Sequence, residues 1–171
     1  MKFIFLLTYI FLTSQAVCQD CTRFVVKDVD RFTDKVTYSL KYPIKRLSSK
    51  KALLLLLDIS KDTDGTLTLL CNIKVPGFGC TDKTSKIYFI FNDNSKYDCQ
   101  NLNDFSCDAL LLLFLSSPKE YLPQEKLLLS KLSTIGISAI RISGTSDIYE
   151  LDLTKDESEK FRQSVKCILD Y

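Results

Sequence analysis

The sequence predicts an α+β protein: mostly antiparallel β-sheet built from hairpins, with a short helix and a C-terminal helix packing on it. Three observations predict it. Short runs rich in β-branched and aromatic residues succeed one another, separated by turns containing Gly, Pro or Asp. After "SSP", residues 116–118, the apolar spacing becomes helical. The final segment opens on the helix-start signature Thr154-Lys155-Asp156-Glu157.

The chain has 171 residues and begins "MKFIFLLTYIFLTSQAVCQDC". One positive charge, Lys2, precedes an apolar run, and small and polar residues follow, which is the three-part pattern of a secretory signal peptide. The run is shorter than the ~20 residues that span a bilayer. Cleavage after Ala16 leaves Val17 first and keeps Cys18. Cleavage after Cys18 leaves Gln19 first. Lipidation of Cys18 is a third reading, which the bulky Val17 before it disfavours. The expected organisation is a signal peptide over residues 1–18 and a single disulfide-stabilised α+β domain over residues 19–171.

The segments "CTRFVVKD" and "KVTYSLKY" read as the first hairpin, joined by "VDRFTD". "ALLLLLDIS" and "TLTLLCNIKV" read as the second. Between them "KDTDG" resembles a calcium loop, with Asp58, Asp62 and Asp64 near Gly65. An EF-hand has glycine sixth and a bidentate acid twelfth. Placing Gly65 sixth puts Ser60 first and Cys71 twelfth, both wrong. Asp-Gly between apolar runs is instead a hairpin turn. "KIYFIF" and "DALLLLFLSS" are further strands. The runs 52–57 and 109–115 are apolar on both faces, which predicts cover on both sides.

"PQEKLLLSKLSTIG" carries Leu127, Leu128 and Leu132 and ends at Gly136, so a helix is expected over about 124–134. "ISAIRIS" and "IYELDL" form a hairpin about "GTSD". The last helix has Thr154 and Glu157 as a capping box, acids in its first turn, and a stripe of Phe161, Val165 and Ile168, with Leu169 at its flank. Cys167 falls off that stripe, so it is expected at an edge, reaching another segment.

Seven cysteines and no histidine imply disulfides before zinc. Cys18 and Cys21 have CxxC spacing, but no second such pair exists. The expected bonds are Cys71 with Cys80, Cys99 with Cys107, and Cys21 with Cys167. Removal of Cys18 leaves an even count, which favours cleavage after it.

The C-terminal "ISAIRISGTSDIYELDLTKDESEKFRQSVKCIL", preceded by "LLLSKLSTIG", and the opening "KDVDRFTDKVTYSL" resemble small secreted proteins of unknown function from Bacteroidetes-type bacteria. The resemblance covers about a third of the chain. It implies a small α+β fold at a periplasmic or outer-surface location, and it carries no activity with it.

Without histidine, the usual neutral-pH base and the common triads are excluded. "SSKK", residues 48–51, reads as a solvated loop rather than a Ser–Lys dyad, and "SPKE" as a helix approach. Asp62/Asp64 and Asp93/Asp98 are expected in turns, bonding their own backbone. The phosphate-loop and dinucleotide fingerprints are absent, so no cofactor is expected. "GFGC" is a tight turn. Arg141 lies mid-strand, either snorkelling to solvent or paired with Glu150 across the hairpin. Lys plus Arg number 23 against 21 acids, interspersed along the chain. That balance points away from nucleic acid. After the leader, no run is long enough to cross a membrane. The expected function is a secreted, non-catalytic binding domain for an unknown protein or envelope component. The alternatives are an inhibitor or immunity-like factor using the loop between Cys71 and Cys80, and a small carboxylate-dependent hydrolase. Oligomeric state is not specified by the sequence.

Overall fold

The computed structural model describes residues 20–47, 53–107, 110–116 and 121–171. The expected signal peptide, Cys18, "SSKK" and "SPKE" lie outside the described residues. Among the described residues a 3-10 turn at Cys21–Arg23 leads into ten strands and two α-helices: β1 Val25–Val29, β2 Val36–Leu40, β3 Ile44–Leu47, β4 Leu53–Asp62, β5 Leu67–Ile73, β6 Lys86–Phe91, β7 Lys96–Gln100, β8 Leu110–Ser116, α1 Pro123–Thr134, β9 Ile137–Ser143, β10 Ile148–Asp152 and α2 Lys155–Asp170. Every strand pairing is antiparallel. The fold is α+β and mostly sheet, as the hairpin pattern predicts.

The larger sheet runs β1-β2-β4-β5-β8, with β3 also on β4. The long β4 explains the branching. β2 pairs with its far end, Thr37 opposite Asp62, and β3 with its near end, Ile44 opposite Leu57. β2 and β3 are thus one broken strand along a single edge of β4, interrupted at residues 41–43. Pro43 sits in the break, where its missing N–H removes no ladder bond. The Asp-Gly turn forms as expected, Gly65 taking φ +87° between β4 and β5. Along β5, buried and half-buried residues alternate strictly. Leu55, Leu57 and Ile59 of β4 and Leu67, Leu69, Cys71 and Ile73 of β5 form the inner face. Leu56, Leu70, Leu110 and Leu112 face the other way and are half-buried. Where the apolar runs are described, they bury one face fully and the other in part.

The smaller sheet runs β10-β9-β6-β7. β7 was not expected from the sequence, and it places Asp98 in a strand rather than a turn. Its signal is "NDNS", where Asn94 takes φ +64° in the turn from β6. A second departure is a bulge: Ile90 faces Ala139, but Phe91 faces Ile137. The extra residue, Ser138, donates its hydroxyl to the Ile90 and Phe91 carbonyls at 3.0 and 3.3 Å. The bulge turns Ile137 to the inner face with Ile140 and Ile142, where strict alternation would have set it opposite them.

α1 starts with Pro123 at its first position, and Glu125 accepts the Leu122 N–H at 2.9 Å. It buries Leu128, Leu129 and Leu132 but leaves Leu127 exposed. α2 buries Phe161, Val165, Cys167 and Ile168 and packs against α1, β1, β2, β4 and β9, so it touches both sheets. The sheets also meet where β7 passes β8. There Asn101, 2 % exposed, accepts the Leu112 N–H at 3.0 Å and donates to the Asp82 carbonyl at 3.0 Å. Next to it the Leu102 N–H reaches the Leu112 carbonyl at 2.7 Å. This segment closes part of the β8 edge, satisfying backbone groups that would otherwise be open.

Candidate functional site

The cysteines combine differently from two of the three expected pairs. Cys21 is bonded to Cys167, as expected, but Cys167 is buried rather than at an edge. Cys80 is bonded to Cys107, not to Cys71, and Cys99 is not bonded to Cys107. The cause is register. Thr81 and Ser106 exchange backbone bonds at 2.8 Å in an isolated antiparallel bridge, which sets Cys80 opposite Cys107. Cys71 and Cys99 point inward on β5 and β7 and carry free thiols. Burial pushes both thiols up, Cys99 to about 12, so neither is a thiolate nucleophile at neutral pH.

The aspartates flagged in the sequence disperse to separate local partners. Asp62 pairs with Lys35 at 2.7 Å, and Asp64 accepts the Thr66 N–H at 2.9 Å. Asp93 accepts the Ser95 N–H at 2.9 Å, and Asp98 pairs with Lys86 at 2.9 Å. Asp58 stands apart on the outer face of β4. It accepts the Ile59 N–H at 2.8 Å, yet burial raises its carboxyl to about 6. Among the described residues no three His, Cys, Asp or Glu side chains come together in a way that could hold a metal ion. The "VPGFG" loop is anchored by Phe78, which is 2 % exposed and whose ring a Cβ on Gly144 would meet at 2.9 Å, while Pro76, Gly77 and Gly79 stay exposed.

Among the described residues two solvent-facing features stand out. The first is the outer face of the smaller sheet, where the register sets side chains in cross-strand rows. The middle row is Asp98, Tyr88, Arg141 and Glu150. The flanking rows are Gln100, Lys86, Ser143 and Ile148, and Lys96, Ile90, Ala139 and Asp152. Arg141 Nε donates to Glu150 at 2.6 Å while both stay more than half exposed. The two readings of Arg141 thus hold together. The face carries three cations and three acids, so it is neutral, with Tyr88 at its centre, 38 % exposed.

The second is a cleft of about 410 Å³ where the β2–β3 break meets the start of α2, lined by Lys41, Tyr42, Pro43, Ile44, Lys45, Arg46, Asp156, Glu157 and Lys160. Glu157 caps α2 by accepting the Thr154 N–H at 2.9 Å and also holds Arg46 through two bonds of 2.7 and 3.1 Å. Burial pushes its carboxyl up, but the Thr154 and Arg46 bonds outweigh this and hold it below the ordinary range. Lys160 pairs with Asp156 at 2.8 Å and lies 5.9 Å from the Tyr42 ring centre. Phe24 meets Tyr42 edge-on at 6.0 Å. Sequence reasoning missed this cleft because it missed the strand break. The signal is "KYPIKR", a proline and an aromatic amid three cations at the end of a strand.

No family model, curated protein or solved structure matches the chain.

Proposed function

We propose that this chain is a secreted, non-catalytic binding domain whose partner is a protein or an envelope component. The observation that carries the reading is the open face of the smaller sheet. Tyr88 and Arg141 stand side by side there, both exposed, inside a frame of charges that neutralise one another. Tyrosine and arginine are the residue types that dominate binding energy in protein interfaces, and a polar rim around them is the usual arrangement. The export part of the reading rests on the leader pattern of residues 1–18 and on two disulfides, which persist in oxidising compartments. Among the described residues no helix is long and apolar enough to cross a membrane. The resemblance to small secreted Bacteroidetes-type proteins agrees with this and adds no activity. The dispersal of the aspartates weighs against a carboxylate hydrolase, and the burial of Phe78, the only large side chain at the tip of the "VPGFG" loop, weighs against an inhibitor that acts through it.

The test is site-specific photocrosslinking at the surface of the native host. A benzophenone amino acid at position 88 is expected to capture one defined partner, and the same group at Lys27 on β1 is not. Arg141→Glu should abolish that capture. Equal labelling from both positions, or none from position 88, would remove the sheet face as the binding surface.

A further inference from the structure

The cleft at the β2–β3 break holds charge that the fold does not use. Its lining carries four cations, Lys41, Lys45, Arg46 and Lys160, and two acids, Asp156 and Glu157. Arg46 and Lys160 are taken up by those two acids. Among the described residues Lys41 and Lys45 have no ion pair, and both are exposed. Between them in sequence stands Tyr42, 38 % exposed although its ring meets Phe24 and Lys160. Pro43 follows and restricts the backbone there. A held aromatic ring that lines the same small-molecule-sized cleft as two lysines without an ion pair fits a ligand with an apolar ring face and an anionic substituent.

We propose that this cleft binds an acidic saccharide, with the sugar's C–H face on Tyr42 and its carboxylate or sulfate between Lys41 and Lys45. The choice of saccharide over other anions rests on the extracellular reading above, since anionic polysaccharides are the abundant ring-bearing anions outside cells. Pairing at such an exposed site is salt-sensitive and modest, so affinity comes from several sugar units rather than one.

The experiment uses the disulfide-bonded protein and follows backbone amide shifts. The probes are an oligogalacturonate, a sulfated disaccharide, a neutral oligoglucose, a glutamate peptide and AMP. The expected result is a response at residues 41–46 to the uronate, the sulfated sugar or both, and none to the neutral sugar. Which of the two acts identifies carboxylate or sulfate as the recognised group. Lys45→Ala and Tyr42→Ala should each weaken binding about fivefold, and added salt should weaken it further. Arg141→Glu, on the other face, should leave it unchanged. Absence of binding to both acidic sugars overturns the proposal, as does an affinity left unchanged by Tyr42→Ala. Equal or tighter binding of the glutamate peptide or AMP also overturns it, and would assign the cleft to that ligand instead. Capture through position 88 with no saccharide binding would leave the binding-domain reading standing and remove only this site.

Discussion

Asp58 shows how one residue's role depends on where it is placed. In "DISKDTDG" it is one of three similar aspartates. In the fold, Asp62 and Asp64 serve the turn, while Asp58 lies opposite Leu70 on a half-buried face. Its bonds to the Ile59 and Leu40 backbone favour the ionised form, but desolvation outweighs them and its carboxyl rises to about 6. The folded state therefore holds this proton more tightly than the unfolded chain, whose carboxyl titrates near 4. The stability contributed by protonation is fully present below that lower value and is lost as pH rises through about 6. Asp58→Asn keeps an oxygen for the backbone N–H groups without the charge. It should stabilise the protein at pH 7.5 by on the order of 2 kcal/mol, with the gain shrinking toward zero near pH 4. Thermal melts of both proteins across that pH range check this, and an unchanged or lowered Tm at pH 7.5 would contradict it.

At the scale of elements, the start of α2 carries the sharpest expectation. The Thr154–Glu157 capping box was legible because both partners lie within four residues. The bond from Arg46 to Glu157, 111 residues apart, was not. Thr154→Ala should cost about 1 kcal/mol, the usual value of a cap. Glu157→Ala should cost more, roughly 2 kcal/mol, because it also leaves the Arg46 guanidinium, only 26 % exposed, without its acid. Urea unfolding with unchanged slope measures both, and equal losses would mean that the Arg46 bond contributes nothing. The same contrast separates the hairpins. Gly65 and the "GTSD" turn announce theirs through local φ requirements and short loops. The β2–β3 break is marked locally by Pro43 alone, and that its two pieces share one edge of β4 exists only in the pairing. Gly136 belongs to both scales: it ends α1 at φ +81°, and a Cβ there would press on Ser158 of α2 at 2.9 Å. The stop was readable, and the packing reason for it was not.

For the whole molecule, the bond between Cys21 and Cys167 spans 146 residues and ties the first turn to the closing helix. In the chain-entropy account, a loop of this length is worth up to about 5 kcal/mol. Replacing both cysteines by serine should therefore lower stability by several kcal/mol, more than the same change at Cys80 and Cys107, whose separation is 27. Thiol labelling without reductant gives a second check. Of the six cysteines from Cys21 to Cys167, none should react in the native protein, and Cys71 and Cys99 should react once it is unfolded. Six reactive positions appearing only after reduction would restore the three-bond pattern expected from spacing.

What the sequence alone determined was local. Turn chemistry, alternation of apolar residues, helix caps and the general class follow from interactions within a few residues, where backbone sterics and short-range hydrogen bonds decide. The pairing of Cys21 with Cys167 was also reached, as the pair left after two short-range guesses and with the help of an edge position for Cys167 that the structure replaces by burial. The tertiary structure decided everything that depends on which distant segments meet. Cys80 found Cys107 because a bridge through Thr81 and Ser106 set them opposite. Cys71 stayed reduced because β5 turned it into the core. Asp58 became different from its neighbours because β4 carried it onto a half-buried face, and the cationic cleft arose where a broken strand met a helix start. Distance along the chain says little about such meetings, since the free energy that selects them is the burial of the whole core and not the preference of any one stretch.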